Sequence, residues 1–235
     1  MIRKLKIIAV ITARGGSKGL PYKNIAKIGN KPLIYYTIKA ALGTKLINKV
    51  ILSTDSSKIA SISKKYGVEI PFLRPKKLAT DTAHHPDVVE HAVNYVEKKR
   101  NFFPDIVIML QPTSPFRTSK HLTFALKKFV KEKNESLIGV RKQNYPPWWM
   151  FKISNKKLET NFKWKNKNVF NMERQEFPNL YRPNGAIYIT YRKSLKIKKN
   201  LVNPKSCGYY LMSDLESIDI DNKLDLEIAK KILKK

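Results

Sequence analysis

A chain of 235 residues, 42% of them hydrophobic, is long enough for one α/β domain with a sizeable core. The formal net charge of +29 invites a nucleic-acid reading, but nine Arg against 38 Lys, scattered in ones and twos, describe solvated faces more than a phosphate-tracking surface. The apolar run at residues 7–11 is far too short to cross a bilayer, and the single Cys207 excludes an internal disulfide and suits a reducing cytoplasm. Behind "MIRKLK" that run has the look of a signal-peptide core, yet it ends in Arg14 and a glycine turn, as a buried strand feeding a phosphate loop would.

In chain order, residues 6–13 predict a buried strand, followed by the glycine-rich "ARGGSKGLPYKN". Pro32 suits the first position of a helix with an apolar side at Leu33, Tyr36, Ile38, Ala40 and Ala41. A second buried strand, 49–54, runs into Asp55 and two serines, which would cap a helix over 58–66. Residues 68–72 read as a short strand, 87–99 as a helix, 105–111 as a third buried strand, 119–133 as a Lys-faced helix and 136–140 as another strand. From 143 to 180 the pattern changes. "NYPPWWMFK" is Pro- and Trp-rich, and the polar stretch after it has little periodicity, so this segment reads as an arm inserted between 1–142 and 181–235. Its Trp148, Trp149, Met150 and Phe151 predict a partner surface. Beyond it, 185–190 predict a strand, 217–222 end another, and 223–234 close the chain as a helix. Strands alternating with helices predict a mostly parallel sheet covered on both faces.

Four features carry chemistry. The loop at 13–24 follows a strand and precedes a helix, so its backbone N–H groups can approach phosphate. It fits neither the Walker A pattern, because Leu20 follows Gly19, nor the dinucleotide pattern, because the glycines stand at 15, 16 and 19. Its cations, Arg14, Lys18 and Lys23, would neutralise charge on a leaving pyrophosphate. Asp219 and Asp221, two apart on a strand-like segment, would share a face and hold Mg²⁺ beside a triphosphate, unless they only cap the last helix; Asp225 reads as a first-turn charge on it. Gln111, in "LQPTSPFR", ends a buried strand, where ligands of open α/β sheets bind. His85 is placed as a contact to a base and His84 on the surface. His91 and His121 read as ordinary helix positions. No Ser–His–Asp or Cys–His nucleophile emerges, which suits in-line nucleotidyl transfer.

Taken in order, "ARGGSKGLPYKN", "STD", "LRPKKLATDTA", "LQPTSPFRT", "ERQEFP", "YRPNGAIYI" and "SIDIDNKLDLEIA" resemble the acylneuraminate cytidylyltransferase family. Its members join CTP to a nine-carbon α-keto acid sugar and release pyrophosphate on a Rossmann-like fold of the nucleotide-diphospho-sugar transferase type. The resemblance implies that Arg14, Ser17, Lys18 and Lys23 hold the CTP phosphates and that Asn24 lies near the ribose. It implies that Arg74 and Ala83 contact the cytosine, that Gln111, Arg182 and Tyr188 meet the sugar, and that Asp219 and Asp221 bind Mg²⁺. It further implies a cytoplasmic homodimer built through the 143–180 arm, with Arg174 reaching the other subunit's sugar. Where some sialic acid enzymes carry an arm lysine, this chain has "PPWWM", so Trp148 or Trp149 predicts a less polar sugar, legionaminic or pseudaminic rather than sialic acid. The alternatives are a 3-deoxy-manno-octulosonate cytidylyltransferase, a homologue that binds sugar acids without turnover and, from another class, a basic nucleic-acid-binding protein.

Overall fold

A computed structural model describes residues 2–16, 19–160, 162 and 168–233. Strand β1 (Ile7–Thr12) is apolar almost throughout, and residues 7–11 are fully buried, as a strand covered on both faces must be. The side chains of β1 alternate between two cores. Ile7, Ala9 and Ile11 pack with Ile34, Ile38 and Phe129; Ile8 and Val10 pack with Val89, Val93 and Leu195. Each fully buried Ile contributes about 1.5–3 kcal/mol through the area it removes from water.

A short hairpin, β2 (Lys27–Ile28) with β3 (Lys31–Pro32), turns the chain into α1 (Leu33–Leu42). β4 (Lys49–Ser53), α2 (Ser57–Lys64), α3 (His85–Arg100), β5 (Ile106–Leu110), α4 (Ser119–Glu132) and β6 (Ser136–Lys142) follow. The hairpin β7 (Phe151–Ser154)–β8 (Lys157–Thr160) lies outside the main sheet. The chain then returns through β9 (Tyr181–Tyr191), α5 (Arg192–Lys198), β10 (Cys207–Leu211) and α6 (Lys223–Leu233). The six-stranded order is β10-β6-β9-β5-β1-β4, with β9 antiparallel to β5 and β6 and the other pairs parallel. α1, α2 and α4 supply one face of the core, and α3 and α5 the other.

Several expectations are corrected. Pro32 precedes α1 as its N-cap, extended at ψ 150°. Residues 68–72 make only the bridge Ile51–Glu69, because Pro71 withholds the N–H that a longer ladder needs. Residues 217–222 form no strand: Ile220 donates its N–H to the carbonyl of Thr113 and buries its side chain against Ile28 and Leu33, so loop contacts replace a ladder. The Trp-rich stretch partners itself. Trp148 stacks on Phe177 and the Trp149 Nε1–H donates to the carbonyl of Val169 at 2.8 Å, so both rings are half-buried. β10 and α5 were not expected. Both are short, and α5 is docked by Arg192, whose fork meets Glu97 at 2.7 and 2.9 Å.

Candidate active site

The parallel strands β1, β4 and β5 point their carboxyl ends at one cleft of about 250 Å³. Its walls come from the glycine loop (Arg14, Gly16, Lys23, Asn24), the segment after β4 (Arg74, Ala83, His85), the end of β5 (Gln111, Thr113) and Asp219 with Asp221. Four stretches far apart in sequence therefore meet at the edge where open α/β sheets bind ligands.

The loop is tied down at both ends. The Gly15 N–H donates to Asp55 Oδ1 at 2.9 Å, which explains the carboxylate at the end of β4. At the other end, a Cβ on Gly19 would lie 2.5 Å from the carbonyl oxygen of Asp221, so only glycine lets the loop approach this closely. Between them Asn24 is buried and donates its amide to the carbonyl of Arg14 at 2.9 Å. The loop cations face carboxylates: Arg14 pairs with Asp81 at 2.6 Å and Lys23 with Asp221 at 2.9 Å. Ser17 and Lys18 lie outside the described residues.

On the base side, Arg74 is buried, donating through Nε to Ser53 Oγ at 3.0 Å and through Nη2 to the carbonyl of Ser53. Burial, and then the nearby Arg14 against the opposing pull of Asp55, bring its pKa down to about 10. Its guanidinium thus anchors this wall to β4 while lining the cleft. His85 lines the cleft, and its Nε2 meets the Gln111 side-chain nitrogen at 3.0 Å. An amide nitrogen only donates, so His85 accepts there as the neutral ring. Burial, then Arg74 and Arg14, lower its pKa and favour that form.

Gly185 in β9, at φ +76°, closes the floor: a Cβ there would lie 2.9 Å from Gln111 Oε1 and 3.4 Å from Asp219 Oδ2. Asp219 has a buried Oδ1 with no hydrogen-bond partner among the described residues. Burial, aided by Asp221, raises its pKa, although a bond from Thr113 and the charge of Lys23 oppose this. Asp221 does not cap the last helix. Asn222 does, accepting from the Asp225 N–H at 3.0 Å while Asp225 Oδ2 accepts from the N–H groups of Asp221 and Asn222. That arrangement leaves the Asp221 carboxylate facing Lys23.

The remaining residues that the resemblance assigns to the sugar are not all gathered here. Tyr188 lies between β5 and β6, and its hydroxyl pKa is raised by burial and by Asp219. Arg182 is exposed on β9 opposite Arg141, and Arg174 meets Asn144 at 3.0 Å in a second cavity at the root of the arm. Neither arginine lines the central cleft of the single chain. Thr113 and the buried Arg117 were missed as contributors to the site, though both stand inside "LQPTSPFR". Their types alone did not separate a site residue from a turn residue.

A phosphate-approaching loop and a carboxylate pair at the carboxyl edge of a mostly parallel sheet define a nucleotide-handling α/β protein. A family model described as Cytidylyltransferase matches residues 8–234, and the chain belongs to that family. It is 34% identical over 237 residues to the N-acylneuraminate cytidylyltransferase of Escherichia coli O18:K1:H7, covering 99% of this chain and 53% of that protein. It is 34% identical over 232 residues to the CMP-N,N'-diacetyllegionaminic acid synthase of Legionella pneumophila, covering 97% of each chain. It is 31% identical over 230 residues to the pseudaminic acid cytidylyltransferase of Campylobacter jejuni serotype O:2, covering 98% and 97%. The chain thus spans about half the length of the Escherichia coli relative and nearly all of the other two. A CMP:2-keto-3-deoxy-manno-octonic acid synthetase complexed with CTP shares the fold at a TM-score of 0.71 and 17% identity, covering 97% of this chain and 98% of that one. Among the described residues no helix is long and apolar enough to cross a membrane.

Proposed function

We propose that this chain transfers the cytidylyl group of CTP to a nine-carbon α-keto acid sugar, releasing pyrophosphate. The observation that carries this reading is a cleft lined together by Arg14, Lys23, Asp219 and Asp221. The anomeric hydroxyl of the sugar acid attacks the α-phosphorus in line, and the bond to the bridging β-phosphate oxygen breaks. Arg14 and Lys23, joined by Lys18, draw on the charge that grows on pyrophosphate. Asn24 and Ser17 position the nucleotide, while Arg74, Ala83 and His85 form the base wall. Gln111 and Tyr188 face the sugar.

Mg²⁺ fits the site. The donors are all oxygen, and the unpartnered buried oxygen of Asp219 with its raised pKa describes a carboxylate that lacks a cation. Asp219 and Asp221 would hold the ion, which would add its charge to that of Arg14, Lys18 and Lys23 in neutralising phosphate.

Arg174 and Arg182 belong to the sugar carboxylate, for which a guanidinium fork is the matching shape. Their position outside the cleft of one chain supports a homodimer in which the arm of one subunit serves the other. The stacked Trp148 and Phe177 beside the Arg174 cavity present an apolar wall, which favours the legionaminic or pseudaminic type of sugar. CTP as substrate and the lone Cys207 suit the cytoplasm. The deciding assay is pyrophosphate release from CTP and Mg²⁺ with N-acetylneuraminic, legionaminic, pseudaminic and 3-deoxy-manno-octulosonic acids. Release with a nine-carbon acid is expected. A clear preference for N-acetylneuraminate would overturn the apolar-wall reading, and release only with the octulosonate would overturn the acceptor class.

A further inference from the structure

Arg117 is the largest fully buried side chain among the described residues, only 1% exposed, and it has no carboxylate partner. Its Nη1 donates to the carbonyl of Ala186 at 2.9 Å and to that of Gln111 at 3.2 Å, its Nη2 donates to Thr37 Oγ1, and its Nε has no partner among the described residues. A buried guanidinium without a counter-ion is costly, and a Leu or Met would fill the space more cheaply. Burial alone brings its pKa down to about 9, so it remains a cation at neutral pH.

The three acceptors explain the placement. Gln111 is the first residue beyond β5, and Ala186 directly follows the Gly185 against which Gln111 and Asp219 pack. Thr37 belongs to α1, the helix behind the phosphate loop. One planar fork therefore ties the main chain of β5 to that of β9 and holds both to α1. Above it, the Gln111 side chain reaches His85 and lines the cleft. The fork fixes the main chain of Gln111 and the histidine fixes its amide.

We propose that Arg117 is a positioning residue for the sugar side of the reaction: it sets the separation of Gln111 from the Gly185–Ala186 main chain, and with it the stance of Gln111 toward the acceptor. This rests on the cytidylyltransferase reading above. The effect falls mainly on acceptor use and largely spares CTP binding, because Arg14, Lys23 and Arg74 make no contact with the fork or with Gln111.

The test compares Arg117→Met and Arg117→Lys with the unaltered full-length chain. Three readouts serve: CTP affinity by calorimetry, steady-state kinetics with the best acid of the panel, and hydrogen–deuterium exchange. The Met variant is expected to stay folded, bind CTP within about twofold of the parent, and lose roughly 10–100-fold in kcat/KM for the sugar acid. Exchange should quicken in peptides spanning 110–113, 184–187 and the α1 turn around Thr37, and not in the phosphate loop or in α3. Lys retains the charge but not the fork, so it should recover only part of the loss. If the Met variant fails to fold, the Lys variant carries the comparison with the same localised signature. Unchanged kinetics with unchanged exchange would overturn the proposal, as would CTP affinity and sugar kinetics falling together. If the unaltered chain releases no pyrophosphate with any acid, the acceptor reading has failed, and the exchange pattern alone then decides whether Arg117 positions these strands.

Discussion

Asp219 holds one carboxylate oxygen out of water with no donor to meet it, and its pKa lies above the ordinary Asp value chiefly because of burial. The sign of the linkage follows. Well below the unfolded value both states are protonated and the residue costs nothing. As pH rises through the unfolded value the penalty appears, and it is complete above the folded value. Asp219→Asn should therefore raise the melting temperature of the metal-free protein by about 2–4 °C near neutral pH, with the gain fading toward pH 3, while turnover is lost. Melting curves at pH 3.5 and pH 8 with the same increment would contradict this. Lys23 is a different case. It meets Asp221, whose carboxylate is 71% exposed, so solvent screens the pair and it contributes little stability. Lys23→Ala should leave the far-UV spectrum intact and cut pyrophosphate release about 10²–10³-fold. Full activity in that variant would remove the loop from the mechanism.

At the scale of elements, the arm exposes Tyr145, Ile153 and Leu158 at 70%, 79% and 64%, more than a monomer gains from showing. Ile153→Asp combined with Leu158→Asp should shift a homodimer toward monomer in light scattering while each subunit keeps its fold. A parent chain that is already monomeric would dismiss the arm as an interface. The arm also marks the limit of what sequence could tell. The buried strands β1, β4 and β5 were legible because parallel strands covered on both faces are apolar without interruption. The segment 217–222 looked like a strand because Ile218 and Ile220 alternate with aspartates, yet Ile220 is buried by a loop contact with Thr113, and alternation cannot tell the two apart. The cleft's composition was legible from motif order. Its internal wiring was not: the use of Arg74 on Ser53, the fork of Arg117 and the cap at Asn222 all depend on which backbone carbonyls the fold brings within reach.

For the whole molecule, a net charge of +29 surrounds a cleft meant for a polyanion and an acid. Such a field raises the local concentration of nucleotide and is screened within about 8 Å at physiological ionic strength. The KM for CTP should rise several-fold between about 20 mM and 300 mM salt, with kcat changing far less. A salt-independent KM would assign the lysines to solubility alone. Steep, sequence-independent binding of DNA or RNA at low salt would instead revive the nucleic-acid reading.

The arm leaves the sheet after Lys142 and re-enters at Tyr181, and these two residues are register partners on neighbouring strands. To the rest of the fold, everything between them is a closed loop whose ends stay a strand spacing apart whatever its length. Closure entropy grows only logarithmically, so doubling such an excursion costs about 0.6 kcal/mol. The cleft seated at the ends of β1, β4 and β5 is thus little affected by the length of the arm. Arms of other lengths and sequences can be spliced at that doorway without disturbing the six-stranded sheet.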